Sequence, residues 1–599
     1  MPDSTWIKVA HAADFETTDR KLISAGDRPV LLLRHADGFY AVDNRCPHMG
    51  FPLDKGSVKD CILTCHWHHA RFDLASGGTF DQFADDVRAY PVELRGADVW
   101  LNLAPRHDER AHQLKRLHDG LEQDIRLVVA KSAIALLDRG GDPREPFRAG
   151  LRFGTTYRAA GWGQGLTMLG CFMNMLPHLN AEDQPRALYH GLNAVSVETF
   201  GTPPRFMIDP LPNGTASLPT LKRWFRQFIE VRDDEGAERC VVSAIRAGAT
   251  SAELADMLFA AVTDHRYIQI GHPADFTNKA LEALDIAGWD LAEPVLSSLV
   301  RGIARATRME ESNAWRNPID LIAILESAFE QLPSEVEQGT AARDSLPQRR
   351  WNERVALAQQ LLSDDPQANI DALLAALHDG ATAEQVAGAV AYAAALRVAR
   401  FHTANEFGDW DTVLHTFTFA NAIHQGIRRV VGAERDQATP DASPQERALP
   451  LLRGAFDAAM SVYLDRFLNT PPARLPQLER NGASADQILD ELLPLLDRQQ
   501  QVNEAGRLVA RYLATDGDAR RLLAALGTAL LREDRDFHTI QTVEAAFSQY
   551  QLLGDTPEAV HVLIAAARYL AAHAPTVRAE GQTFQIAERL HRGEKLYEE

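Results

Sequence analysis

Two cysteine-histidine pairs near the amino terminus carry the side chains best suited to chemistry. Cys46 and His48 are separated by one residue, Cys65 and His68 by two, and sixteen residues lie between the pairs. Two thiolates and two imidazoles are the ligands of a [2Fe-2S] cluster in which the cysteines bind one iron and the histidines bind the other. Zinc also takes two cysteines and two histidines, although a C-x-H pair is shorter than the usual zinc-binding spacing. We therefore predict an iron-sulfur cluster at these four residues, with zinc as the alternative.

The sequence around these ligands resembles the Rieske ferredoxin family. From about residue 6 to 103, short apolar runs such as 30–33 and 39–42 alternate with turn residues, which predicts a small all-β module. Within it, residues 69–73 and 90–92, His-Ala-Arg-Phe-Asp and Tyr-Pro-Val, are similar to segments of that family. The resemblance covers about the first sixth of the chain. It implies a cluster that passes electrons onward and does not itself activate oxygen.

The resemblance also indicates which type of Rieske protein this is. Respiratory members carry an extra cysteine in each ligand loop, and these two cysteines form a disulfide. The corresponding positions here are Phe51 and Trp67, so the ferredoxin and oxygenase type is implied. His69 and Ala70 stand where a hydroxyl could donate to a cluster sulfur. Because fewer donors leave the reduced cluster less stabilised, we expect the low end of the Rieske potential range, about −150 mV.

Bulk composition limits what the remaining chain can be. With 599 residues, 45% of them hydrophobic, the chain is expected to form several domains with packed cores. Its 62 basic and 82 acidic residues give a net charge of −20 without a basic block, which argues against nucleic acid or an anionic membrane as partners. The sequence shows no signal segment and no long apolar run, and Cys61, Cys171 and Cys240 show no pairing pattern. We therefore expect a soluble protein of the reducing cytoplasm.

After Pro105 the composition changes to stretches rich in Ala, Leu, Arg and Glu, with apolar residues at helical spacing such as Leu254, Leu258 and Ala261. This spacing predicts amphipathic helices packed on one another. The expected fold class is multidomain, a small all-β Rieske domain followed by a large all-α region with repeated helix-turn-helix units. The predicted domains are the Rieske domain at 1–105, an all-α domain for metal or substrate at 106–440, and a C-terminal helical-hairpin domain for docking or oligomerisation at 441–599.

One short pattern recurs three times in the helical region. A glycine is followed two residues later by Thr or Ser, and three residues after that by Glu or Gln. The glycine can end one helix, and the two polar residues can form a capping box that starts the next. The pattern predicts a reused helix-turn-helix unit. The three copies are residues 248–253, 380–385 and 482–487.

The usual Rieske oxygenase architecture is not predicted. Those enzymes follow the Rieske domain with an α/β catalytic domain, whose iron is bound by a carboxylate and two histidines about five residues apart. The histidines nearest to that spacing are His107, His112 and His118. They come directly after the Rieske module, before another domain could surround an iron. We expect them to lie in a solvated linker.

Histidines in the helical region suggest a second metal site. His272 lies 24 residues after the glycine of the first copy, and His402 lies 22 residues after that of the second. Facing helices that each direct an imidazole inward form metal sites in bundles. We predict a metal held by His272, His402 and His415, with His190 as a further candidate. A lone helical histidine is more often a hydrogen-bonded core residue, which is the alternative.

Two further patterns bear on the choice of ligands. His424 is nine residues from His415 and faces nearly the opposite side of a helix, so the two are not expected to bind one ion. A similar His-Thr run begins at His538 in the third copy.

A mononuclear non-haem iron at the helical site would accept electrons from the cluster. The glycines of residues 161–165 are not a dinucleotide fingerprint, and there is no phosphate-binding loop, so an external reductase or ferredoxin must supply the electrons. The helical region is faintly similar to questin-oxidase-type oxygenases, which implies oxygenation of a small organic substrate. The alternative is an electron carrier or redox sensor with a non-catalytic helical scaffold.

Overall fold

The computed structural model describes residues 6–596 except 26–27, 37, 105–108, 215, 346–349, 433–443, 480–481 and 516. By their internal contacts the residues form two compact units. The first comprises Met1–Pro146 with Glu580–Glu599, and the second comprises Phe147–Ala579. The first unit extends beyond residue 105 because two helices pack on the β module. The predicted three-domain division stays a prediction.

The amino-terminal module is built from short antiparallel strands, as predicted. They form a sheet of order β1-β10-β9, a sheet of order β2-β3-β4-β8 and a sheet of order β5-β6-β7. The strands are β1 Trp6–His11, β2 Arg20–Ala25, β3 Arg28–His35, β4 Gly38–Asp43, β5 Ser57–Lys59, β6 Ile62–Thr64, β7 Arg71–Asp73, β8 Ala89–Tyr90, β9 Val92–Arg95 and β10 Asp98–Asn102.

The interior strand β3 is buried on both faces. Successive residues of a strand point to opposite sides, so Leu32 faces one core cluster and Leu33 faces the other. The cluster on the Leu33 side also contains Cys46 and Cys65. Both cysteine loops are therefore anchored in a packed core.

The rest of the described chain is helical, which confirms the predicted fold class. No helix among the described residues has the length and apolar content needed to cross a bilayer. The helices are α1 Glu109–Glu122, α2 Arg126–Leu137, α3 Arg144–Thr156, α4 Gln164–Met175, α5 Gln184–Thr199, α6 Leu218–Glu230, α7 Asp234–Arg246, α8 Ser251–Val262, α9 His272–Ala287, α10 Ala292–Arg305, α11 Leu321–Ser345, α12 Arg354–Leu361, α13 Pro366–His378, α14 Ala383–Ala399, α15 Phe407–Gly432, α16 Pro444–Leu464, α17 Ala485–Asp490, α18 Leu492–Leu496, α19 Val502–Leu513, α20 Ala519–Leu531, α21 Phe537–Leu553, α22 Pro557–Ala572 and α23 Ala579–His591.

The three recurring patterns all form capping boxes, at the starts of α8, α14 and α17. In the first two copies the glycine follows a helix and adopts a left-handed backbone, with φ of 83° at Gly248 and 99° at Gly380. In the third copy the described residues just before Gly482, 471–479, are not helical. The local chemistry was predicted correctly, whereas a duplicated structural unit stays a prediction.

Two of the three histidines expected in a linker lie instead on a helix that packs against the β module. His112 and His118 are on α1, and His107 lies outside the described residues. The Nε2 atom of His112 is 2.9 Å from Oδ1 of Asp85. The expectation of a linker is wrong for His112 and His118, because residues 109–122 form a helix with a buried face that includes Leu117.

Candidate redox and metal centres

The two ligand loops of the β module have the same backbone conformation. The first follows β4, and the second joins β6 to β7. In each loop the cysteine N–H donates to the carbonyl five residues later, and the N–H four residues later donates back to the cysteine carbonyl. The residue at that fourth position has a positive φ. The bonds are Cys46 N to Phe51 O, 2.8 Å, Gly50 N to Cys46 O, 2.8 Å, Cys65 N to Ala70 O, 2.9 Å, and His69 N to Cys65 O, 3.0 Å, with φ of 80° at Gly50 and 61° at His69.

The four predicted ligands converge at the tips of these loops. Cys46 and Cys65 are both buried and hydrogen-bond through their sulfurs, which lowers the pKa of the Cys65 thiol and raises the pKa of the Cys46 thiol. The rings of His48 and His68 lie 4.8 Å apart between centroids. The Nδ1 atom of His48 is buried and has no hydrogen-bond partner among the described residues. Two adjacent sulfurs, two adjacent imidazoles and an unsatisfied nitrogen fit a [2Fe-2S] cluster with two histidine ligands.

The positions where respiratory members carry a disulfide are filled by aromatic side chains. The rings of Phe51 and Trp67 lie 5.9 Å apart between centroids. All five cysteines of the chain are free thiols in the structure. Aromatic packing therefore joins the two loops here, as expected for the ferredoxin and oxygenase type.

Three histidines of the helical unit lie close together. His272 begins α9, His415 lies on α15 and His538 lies on α21. Each ring offers one nitrogen atom as a ligand, and these three nitrogens all lie within 4.8 Å of one another. The ring of His415 is 4.8 Å from that of His272 and 4.7 Å from that of His538, between centroids. We call these three residues the histidine triad.

A glycine allows the helices of the triad to approach. Gly271 precedes His272 with φ of 98°, a conformation that other residues rarely adopt. A Cβ atom there would lie 2.7 Å from the Cβ atom of Phe419 on α15. Only glycine therefore lets the start of α9 pack this closely on the helix that carries His415.

Burial keeps His272 and His415 of the triad in the form that binds metals. Burial, with a contribution from the neighbouring imidazoles, lowers the pKa of His272 to about 4 and the pKa of His415 to about 3. Both rings are therefore neutral at pH 7. The Nε2 atoms of His415 and His538 are buried without a hydrogen-bond partner among the described residues. His415 also hydrogen-bonds to the backbone of Asp411, a contact that commonly orients metal-bound histidines.

The triad overlaps the predicted metal ligands only in part. The structure brings His272 and His415 together, but His402 and His190 are not in the group. His402 follows α14, and its Nδ1 atom accepts a hydrogen bond from Ala404 N at 3.1 Å. His190 lies on α5, with its ring 6.0 Å from that of Phe172. His538 joins instead; its His-Thr run was the only sequence signal for it.

A buried polar network continues from the triad along α9 and α21. One turn after His272 and His538, Gln541 Nε2 donates to Oδ2 of Asp275. Farther along, Lys279 Nζ lies 2.6 Å from Oε2 of Glu544 and 2.8 Å from Oε2 of Glu282. Lys279 is 1% exposed, so its charge is stabilised by these carboxylates rather than by water.

A cavity of about 290 Å³ adjoins this network. It is lined by residues of α4, α9 and α21, among them Met173, Phe547, Glu282 and Glu544. Its lining mixes apolar side chains with polar ones such as Asn174, Ser548 and Gln551, so it offers contacts for both the carbon skeleton and the polar groups of a small molecule.

The triad can hold a divalent metal through three imidazole nitrogens. Imidazole donors suit iron, zinc, copper and nickel. Among the described residues, the group within ligand distance contains histidines and no carboxylate. It therefore differs from the two-histidine, one-carboxylate site of the usual Rieske oxygenases.

Comparisons with known proteins concern the amino-terminal module. Residues 5–91 match the Rieske [2Fe-2S] domain. Apoptosis-inducing factor 3 of Homo sapiens is 30% identical over 109 residues, 18% of this chain and 17% of that protein, so this chain spans only a small part of that relative. The ferredoxin of carbazole 1,9a-dioxygenase from Nocardioides aromaticivorans IC177 aligns with 17% of this chain and 100% of its own, at 27% identity and a TM-score of 0.16. The likeness of the helical unit to questin-oxidase-type oxygenases stays a prediction.

A ferredoxin subunit is matched over most of its length. The methanesulfonate monooxygenase ferredoxin subunit of Methylosulfonomonas methylovora is 37% identical over 90 residues, which are 15% of this chain and 73% of that protein. The domain match and the paired cysteine-histidine loops both point to a [2Fe-2S] cluster. Through its amino-terminal module, the chain belongs to the Rieske [2Fe-2S] domain family.

Proposed function

We propose that this protein is a Rieske oxidoreductase whose cluster, held by Cys46, His48, Cys65 and His68, delivers single electrons to a mononuclear non-haem iron in the helical unit. That iron would supply the chemistry that oxygenates an organic substrate. The observation that carries the proposal is the convergence of three imidazoles within 4.8 Å in the helical unit. With iron at this site, the cluster would have an acceptor for its electrons in the same chain.

The proposed iron ligands are His272, His415 and His538. Two of them were predicted from the sequence, and His538 takes the place proposed there for His402 or His190. Support comes from the unsatisfied Nε2 atoms of His415 and His538, since a buried polar atom without a partner is costly unless something binds it.

The proposed electron source is an external reductase or ferredoxin. The matched relatives include ferredoxin components of a methanesulfonate monooxygenase and of an alkene monooxygenase system. Proteins of that kind receive electrons from a partner. The absence of a nucleotide fingerprint in the sequence supports the same role here. The free cysteines support a reducing, cytoplasmic setting.

The proposed substrate is a small organic molecule. The cavity of about 290 Å³ is near the lower end of the volumes found for small-molecule sites. Its lining on α21 begins at Glu544, six residues or about 9 Å along the helix from His538, so the cavity lies beside the triad and does not include it. Its apolar side chains would hold a carbon skeleton, and Glu282 and Glu544 are satisfied by Lys279 and Asn174.

Metal content tests the proposal. Wild-type protein should contain about three irons per chain, two in the cluster and one in the helical unit. His538→Ala should lower iron to about two without changing the visible absorbance of the cluster, because it removes one of three ligands. His402→Ala is the matched control and should keep all the iron, since His402 lies outside the triad.

The outcome that contradicts the proposal is equally specific. A wild-type protein that binds about two irons and no third metal, with turnover unaffected by His538→Ala, would identify an electron carrier or redox sensor with a helical scaffold. Zinc in place of the third iron would also exclude electron transfer to the triad, because zinc has no redox chemistry.

A further inference from the structure

Two helices beyond the Rieske match pack beside the cluster ligands, one on a ligand loop and the other on the segment at residues 82–85. The match ends at residue 91, and α1 and α2 follow in the same compact unit. On α2, Lys131 Nζ donates to the carbonyl oxygens of Pro47 at 2.7 Å and of His48 at 2.5 Å. One ammonium group thus holds two consecutive carbonyls in the loop that carries Cys46 and His48.

The other helix of the pair, α1, holds a segment that packs against the ring of His48. Arg116 Nη2 donates to Ala84 O at 3.0 Å, and Arg116 Nε lies 3.2 Å from Oδ1 of Asp85. The residue just before them, Phe83, packs its ring 4.9 Å from that of His48. The two helices therefore fix both the loop that carries His48 and the segment that packs against its ring.

The charges brought by these contacts are mainly positive. Lys131 and Arg116 come from the helices, and Arg45 is adjacent to Cys46 in the chain. Two acidic groups face them: Asp85 is paired with Arg116 and His112, and Asp119 is paired with Arg116 and Lys115. Reduction adds a negative charge to an iron-sulfur cluster, and nearby positive charge at low solvent exposure stabilises that state.

We propose that Lys131 is a positioning residue for the cluster: it fixes the backbone of the His48 loop, and its charge raises the reduction potential above the low end expected from the loop sequence alone. The helical pair thereby acts as a tuning element that a free Rieske ferredoxin of residues 5–91 lacks. This inference concerns the cluster only and does not depend on the proposed helical iron.

Protein-film voltammetry of the full chain tests the inference. In Lys131→Met, which removes the charge and the donor, the midpoint potential should move to more negative values by an equivalent of at least tenfold in the reduction equilibrium, about 59 mV for one electron. Lys131→Arg should restore a potential near that of wild type, because it keeps a cation with several donors. Lys115→Met is the matched control, since Lys115 on α1 is largely exposed and pairs with Asp119; it should leave the potential unchanged.

A third variant of Lys131 separates the effect of its charge from the effect of its hydrogen bonds to the loop. Lys131→Gln keeps a donor for the loop carbonyls but has no charge, so it should also shift the potential to more negative values. Loss of the cluster in Lys131→Met but not in Lys131→Arg would support the anchoring role. If Lys131→Gln binds a full cluster with the wild-type potential and the wild-type paramagnetic spectrum, the inference is wrong.

Discussion

Asp275 is a carboxyl group that the helical unit holds in a protonated state. It is 2% exposed and lies on α9 one turn after His272. Burial raises the pKa of Asp275 to about 8, although Lys279 and the hydrogen bond from Gln541 act in the opposite direction. Near neutral pH this residue is therefore mostly uncharged, and the network beside the triad carries less negative charge than its residue count suggests.

Asp275→Asn should change how stability depends on pH. The pKa of Asp275 is raised from 3.8 to about 8 on folding, so the native state binds more protons than the unfolded state between these values. Stability therefore falls as pH rises through this window, by at most about 1.4 kcal/mol per pH unit. The variant removes this loss, so its melting temperature relative to wild type should rise between pH 5 and pH 8 in calorimetry.

The matched control for this experiment is Asp555→Asn, because Asp555 is exposed in the turn after α21. Its melting temperature should follow that of wild type at every pH. A constant difference between Asp275→Asn and wild type across the range would show that the carboxyl group titrates normally.

At the residue scale, the sequence identified ligands that are close in the chain and missed one that is distant. The cluster ligands lie in two short loops with fixed spacing, so the motif contains most of the geometry. The triad comes from α9, α15 and α21, and its convergence depends on how these helices pack. Neither periodicity nor spacing in the sequence contains that information. The sequence therefore predicted His402 as the third ligand, whereas the structure brings His538 to that position.

Helix caps are the feature that connects sequence and structure at the scale of elements. Thr382 begins α14, a helix whose residues are almost all buried. Its side chain accepts a hydrogen bond from Gln385 N at 3.2 Å, and Gln385 Oε1 accepts one from Thr382 N at 2.9 Å. Because the pattern is local, the sequence predicted all three capping boxes correctly.

Thr382→Ala should destabilise the helical unit by about 1 kcal/mol, because the N–H group of Gln385 in the first turn of α14 loses its acceptor. The melting temperature of the calorimetric transition of that unit should fall. Thr382→Ser keeps the hydroxyl group and should remain close to wild type. An unchanged melting temperature in Thr382→Ala would show that the cap contributes no stability.

The predicted elements were less reliable where packing decides the structure. Residues 109–122 contain three polar histidines or lysines, yet Leu117 and Leu121 are buried and hold α1 against its neighbours. A solvated linker and a half-buried amphipathic helix have similar compositions. Only the tertiary partner of the apolar face separates them.

At the scale of the whole molecule, the last residues of the chain belong to the same unit as the first. Residues 580–599 group with residues 1–146. Arg45 Nη2 donates to Leu590 O at 3.2 Å and to Glu594 O at 2.9 Å. Since Arg45 precedes Cys46, the end of the chain contacts the first cluster loop directly.

Arg45→Met should make the cluster easier to lose. It removes both hydrogen bonds to the carboxyl-terminal segment, so the first ligand loop is held less firmly. The visible absorbance of the cluster should bleach at a lower temperature than in wild type. Arg34→Met, on the exposed side of β3, is the control and should bleach as wild type does; identical bleaching in all three proteins would contradict the prediction.

This shared unit has a consequence for how the protein is made. Synthesis proceeds from the amino terminus, and domains generally fold as they emerge from the ribosome. Here the amino-terminal unit is complete only with residues 580–599, which are translated after the entire helical unit. The iron-sulfur centre therefore reaches its final surroundings only after residues 147–579 have been synthesised, so late assembly is a property of the chain order itself.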